Sequence, residues 1–127
     1  MKLLIVVDNE ELMEMLCAIF VGLGRKLCAK TFVIKTRGGV KAVQHLAERP
    51  DLMLTDNKVP IPGGKKTTAA ARAISPDTAI VLIQNKDEPH DGLADTIIAM
   101  PIMRNSEIEN AVTRLLGLTV PSMASIG

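Results

Sequence analysis

Two acidic residues each close a short apolar run of this chain. Asp8 follows LLIVV (Leu3–Val7) and Asp56 follows LMLT (Leu52–Thr55), with NKVPIPGG directly after it. Carboxylates brought side by side repel, so they raise one pKa or recruit a cation, and all-oxygen ligation of that kind suits magnesium. Lys58 lies two residues past Asp56, where its ammonium could take the place of the metal or compete with it. Each acid also has a plainer role. Asp8 with Glu11 has the spacing of a capping box, and Asp56 suits an Asx turn leading into the prolines.

The remaining chemistry-bearing residues read as structural. His45 and His90 have no ligand partner at helical spacing and are expected to be packed or solvated. Cys17 and Cys28 lie in apolar surroundings without a CxxC, which points to buried reduced thiols. Arg37-Gly38-Gly39 before a helix could offer amides to an anion, though the glycines are expected only to shape the turn. The seven methionines are read as core fillers.

Positioning Asp8 and Asp56 takes a particular scaffold. Leu3–Val7, Thr31–Ile34, Leu52–Thr55, Ala79–Ile83 and Thr96–Ala99 read as strands apolar on both faces, which suits a parallel sheet covered on both sides. Between them run stretches of helical period. Leu12, Leu16, Ile19, Phe20 and Leu23 form one stripe, and Val40, Val43, Leu46 and Ala47 a second. Gly64–Ile74 is a third helix, and Ser106–Leu116 the last, with Ser106 and Glu109 at capping-box spacing. Alternating strands and helices with right-handed crossovers predict an α/β fold with a doubly wound sheet. In such a sheet ligands bind beyond the carboxyl ends of the strands, where both acids fall. NKDEPHDGLAD, from Asn85 to Asp95, breaks the alternation and predicts a loop or single turn.

Bulk composition narrows the function classes. The 127 residues are 47% hydrophobic with a formal charge of +1, which predicts one compact domain. No apolar run reaches a membrane span, and the early acids exclude a signal peptide, so the cytoplasm is expected. Phe20 and Phe32 are the only aromatics, so direct binding of single-stranded nucleic acid is not expected. Bases cluster nonetheless: Arg25, Lys26, Lys30, Lys35, Arg37 and Lys41 fall in a stretch without a single acid, and Lys58, Lys65, Lys66 and Arg72 in another. They read as solvated helix faces, with a basic face as the alternative.

From Lys2 to Gly117 the chain resembles the receiver domain of bacterial two-component response regulators. The resemblance is carried by LLIVVDNEEL, RPDLMLTDNKVPIPGG, AISPDTAIVLI and the Met100-Pro101 step, each in order at its strand end. It implies a five-stranded flavodoxin-like sheet of order 2-1-3-4-5. It also implies Asp56 as the residue that takes a phosphoryl group from a partner kinase's histidine. Magnesium would be held by Asp8, Asp56 and the backbone carbonyl of Lys58, weakly, because Val7 stands where the family has a second acid. Gln84 replaces the family's Ser or Thr, Met100 its lysine, and Ile97 its aromatic switch residue. The stretch from Gln84 to Asp95 is short, so the fourth helix is expected to be shortened or missing, and Gly24–Gly38 is longer than usual.

These departures imply a degenerate, pseudo-receiver domain over 1–117, with 118–127 a disordered tail or the start of a linker. Such a domain is not an enzyme. It would act in phosphorelay signalling by contact with a sensor kinase or a downstream effector protein. The alternatives are a conventional receiver phosphorylated on Asp56, and a small magnesium-dependent phosphatase or nucleotide-binding domain using Asp8 and Asp56.

Overall fold

The computed structural model describes residues 1–26, 30–56, 64–85, 94–100 and 104–117. In chain order the elements are β1 (Lys2–Val6), α1 (Glu10–Lys26), β2 (Phe32–Thr36), α2 (Gly39–His45), β3 (Leu52–Asp56), α3 (Gly64–Ile74), β4 (Ala79–Asn85), β5 (Thr96–Met100) and α4 (Asn105–Leu115). A short 3-10 turn over Leu46–Glu48 follows α2. All strand pairs are parallel, and the sheet order is β2-β1-β3-β4-β5. The expected doubly wound, flavodoxin-like sheet is therefore the one observed.

Alternation along the strands divides the core in two. Leu3, Ile5 and Val7 of the first strand and its exit, with Leu52, Leu54, Val81, Ile83 and Ile98, pack against the stripe of α1 and against Ile108, Ala111 and Val112 of α4. Leu4, Val6, Met53 and Ile80 point the other way, onto Ala42, Leu46 and Ala71 beneath α2 and α3. Burial on both faces explains why the central strands are continuous branched-apolar runs. The edge strand departs from this: Phe32 of β2 is 59% exposed, because only one side of that strand has a neighbour.

Helix stripes follow the expected periods with two corrections. Leu16, Ile19, Phe20 and Leu23 of α1 are buried and Leu12 is half-buried. In α2, however, Val40 and Ala47 are exposed and Val43 only half-buried, while Ala42, outside the expected stripe, joins Leu46 in the core. The helix lasts only seven residues before tightening, so a stripe projected at a uniform period picks the wrong rotation. The Ser106–Glu109 capping box is not formed. Helix α4 starts at Asn105 with Arg104 at its cap and no side-chain cap bond. Glu109 instead accepts a 3.0 Å ion-paired contact from Lys26 of α1, tying together the two helices of one face.

β4 also runs further than its apolar segment, through Gln84 and Asn85, because the ladder to Ala99 and Met100 of β5 continues there. Ala94 and Asp95 lie just before β5, while residues 86–93 are outside the described part, and with them the shortened fourth helix expected there. The tail 118–127 is likewise outside it. At the opposite pole the strand starts are pinned: the Thr78 hydroxyl donates to the Pro50 carbonyl at 2.7 Å, and Lys2 N–H donates to the Asp51 carboxylate at 2.8 Å. Fixed starts keep the carboxyl ends aligned.

Candidate functional site

Register brings the acids together. Val6 pairs with Thr55, so the next positions are Val7 and Asp56, and Asp8 follows immediately. Asp56 is half-buried as the last residue of β3, and Asp8 is exposed just beyond β1. Val7 is fully buried, its N–H donating to the Thr36 carbonyl at 3.1 Å, and its side chain belongs to the α1–α4 core. An ionised carboxylate at this buried position would need a partner to offset its desolvation, and valine needs none.

Asp8 is not the helix cap. The Asn9 side-chain oxygen accepts the Leu12 N–H at 2.9 Å and its carbonyl accepts the Met13 N–H at 2.9 Å, so Asn9 caps α1 and the Asp8–Glu11 box is not used. Glu10, one residue on, pairs with Arg37 at 3.3 Å. The Asp8 side chain is left without that duty at the rim, one residue past the position that neighbours Asp56 in the register.

The other rim positions come from β4 and β5. Gln84 is 4% exposed next to Ala99, and Met100 stands opposite Asn85. Met100 is half-buried and packs against the α1–α4 core, on the face to which alternation also assigns Asp56 after Leu54. Ile97 is half-buried opposite Leu82. A thioether and a buried carboxamide therefore occupy the places where the resemblance implied an ammonium and a hydroxyl. Lys58, Pro101, His90 and Cys28 lie outside the described residues. Among the described residues no three His, Cys, Asp or Glu side chains gather to hold a metal.

Several smaller expectations are settled here. His45 does have a partner: its ring donates to Glu48 at 2.7 Å, and that bond, with the Lys2 charge, holds the Glu48 carboxyl below its ordinary range against the opposing effect of burial. Cys17 is a free half-buried thiol whose pKa burial pushes up, with the Lys35 charge acting the other way. Gly38 is extended at φ −133, and a Cβ there would meet nothing, so position 38 does not require glycine. Asp95 was not singled out by its sequence context. It accepts the Ile80 N–H at 2.7 Å and pairs with Arg72 at 2.9 Å, fixing the start of β5 to β4 and α3. Only the sheet makes these residues neighbours, so no local pattern marks them.

No family model matches the sequence, and no curated protein matches it significantly. Solved structures do. The receiver domain of a sensor histidine kinase from Pseudomonas aeruginosa, with a magnesium ion coordinated in its active-site cleft, superposes with a TM-score of 0.77 at 22% identity, over 91% of this chain and 97% of that one. The signal receiver domain of an HD-domain-containing protein from Pseudomonas fluorescens gives 0.78 at 18% identity, covering 91% and 94%. A response regulator receiver domain protein from Methanospirillum hungatei gives 0.77 at 16%, covering 91% and 93%. The fold is that of receiver domains. In this receiver fold Asp8, Asp56, Gln84 and Met100 all end on one rim of the sheet, and no helix among the described residues is long and apolar enough to cross a membrane.

Proposed function

We propose that this chain is a degenerate receiver-type signalling domain that acts through protein contact, with little or no phosphorylation of Asp56. The observation that carries the reading is the half-buried Met100 on the face shared with Asp56. An ammonium aimed at a phosphoryl oxygen gives a charge-assisted hydrogen bond, and a thioether gives almost none. Ile97, aliphatic in place of a rotamer-switching aromatic, removes a route for signalling the modification to the surface. The partner in this reading is a sensor kinase or an effector protein, met in the cytoplasm, and the domain has no reaction of its own to catalyse.

Magnesium belongs to the reading only weakly. It keeps several waters and needs only one or two carboxylates. Asp8 and Asp56, at adjoining strand ends, fit that requirement and would hold it together with the backbone carbonyl of Lys58. Bound there, the ion would offset the mutual repulsion of the carboxylates and the charge of phosphate oxygens. The Lys58 side chain is our candidate for an internal cation doing the same work. Equal Asp56 pKa values in wild type and Lys58→Ala would dismiss that role.

A conventional receiver phosphorylated on Asp56 is the second reading. It is favoured by Asn9 taking over the capping of α1, which leaves the Asp8 carboxylate free of that duty at the rim. The phosphatase or nucleotide-binding reading has no such support. Adding magnesium with beryllofluoride or a small phosphodonor and following amide shifts and intact mass separates the two. Silence at Asp56 supports contact-only signalling, and saturable modification at an ordinary receiver's rate overturns it.

A further inference from the structure

A cavity of about 760 Å³ opens at the β2 corner of the sheet, beside the carboxylate rim and apart from it. Its walls differ in sign. Glu10 and Glu14, four residues apart on one face of α1, line one side. Lys35 and Arg37, which alternation puts on one face of the β2 segment, line the other with Lys41 from the first turn of α2. Arg37 and Glu10 bridge the two walls at 3.3 Å. The outward-facing charges that remain are Glu14, Lys35 and Lys41, all exposed and without an ion-pair partner among the described residues. Between the walls lie half-buried Met13 and Val40, the latter 57% exposed.

We propose that this corner is a homodimer interface in which two copies meet about a twofold axis, the acidic α1 wall of each facing the basic β2–α2 wall of the other. A strip with one acidic and one basic side complements its own copy under twofold rotation, because the rotation sets each wall opposite the wall of opposite sign. A purely anionic ligand would satisfy Lys35 and Lys41 and be repelled by Glu14, and a cationic one the reverse. Val40, 57% exposed on the rim of the groove, is the apolar group that each copy presents to the Met13 side of its partner's groove. The inference does not depend on whether Asp56 is phosphorylated.

Because the pairing charges are exposed, the association is weak and salt-sensitive. Sedimentation of the 127-residue chain is expected to show a reversible dimer that weakens at least about tenfold between ~50 and ~500 mM sodium chloride. Glu14→Lys and Lys41→Glu are each expected to weaken it by about tenfold or more. Mixed in equal amounts, the two variants are expected to associate as wild type does, since every contact between positions 14 and 41 again joins opposite signs. Val40→Asp is expected to weaken the dimer without rescue by either. Far-ultraviolet dichroism confirms that each variant is folded. A chain that stays monomeric at low salt up to about 0.5 mM, or a dimer indifferent to both reversals, or a mixture that fails to recover, would overturn the proposal.

Discussion

Replacing Met100 by lysine, alone and with Gln84→Thr, is expected to make Asp56 a faster phospho-acceptor. The ladder gives the reach. Asp56 is opposite Ile83 and Ile83 opposite Ile98, so Met100 stands two strands over and two residues further along. At about 4.8 Å between strands and about 3.3 Å per residue, the two Cα atoms are roughly 12 Å apart. A lysine Nζ extends about 6 Å from its Cα and an aspartyl-phosphate oxygen about 5 Å, so together they span that gap to within a hydrogen bond. Both side chains belong to the α1–α4 face, so no backbone intervenes. A hydrogen bond to a charged group contributes about 1.5–3 kcal/mol, which is roughly a ten- to hundredfold gain in rate. The cost to the fold is expected to stay below about 1.5 kcal/mol, because Met100 is only half-buried and the lysine stem retains much of its packing. Intact-mass time courses with magnesium and a small phosphodonor measure the gain, with Asp56→Asn as the blank. A folded Met100→Lys chain that gains no phosphate faster than wild type would refute the argument that the missing ammonium limits this site.

Other substitutions probe the supports of the rim. Asn9→Ala is expected to cost about 1 kcal/mol in urea denaturation and Asp8→Ala almost nothing, because the capping bond is made by Asn9. Asp95→Ala is expected to lose about 1–3 kcal/mol, and Asp95→Asn less, since an amide oxygen can still accept the Ile80 N–H. For Glu48 the folded pKa is depressed, so its contribution is present above the unfolded value and disappears as pH falls through the folded one. The thermal-stability gap between wild type and Glu48→Gln should therefore close as pH drops below about 4.3, and a gap that widens in acid would contradict it.

Legibility was uneven along the chain, for physical reasons. The buried stripe of α1 follows from period alone, since a helix long enough to show several turns exposes its apolar face in the spacing, and α3 runs over the expected Gly64–Ile74. Helix α2 misled in part because two turns cannot decide whether Leu46 shares its buried face with Val40 and Ala47 or with Ala42. The caps misled for a related reason. Asp8, Asn9 and Ser106 are all competent caps by type, and a shift of one residue in where the backbone turns helical decides which is used.

The sequence by itself determined the class of fold, the strand ends on which Asp8 and Asp56 fall, and the residue types at positions 7, 84, 97 and 100, because strands buried on both faces write their apolar runs directly into the chain. Only the tertiary structure decided that Val7 is core and Asp8 rim, that Met100 shares a face with Asp56, that Asp95 locks onto Ile80 and Arg72, and that the bases of β2 and α2 confront the acids of α1 across one groove. Those relations depend on register and on which strands become neighbours. They are set by long-range packing, which no short window of residues contains.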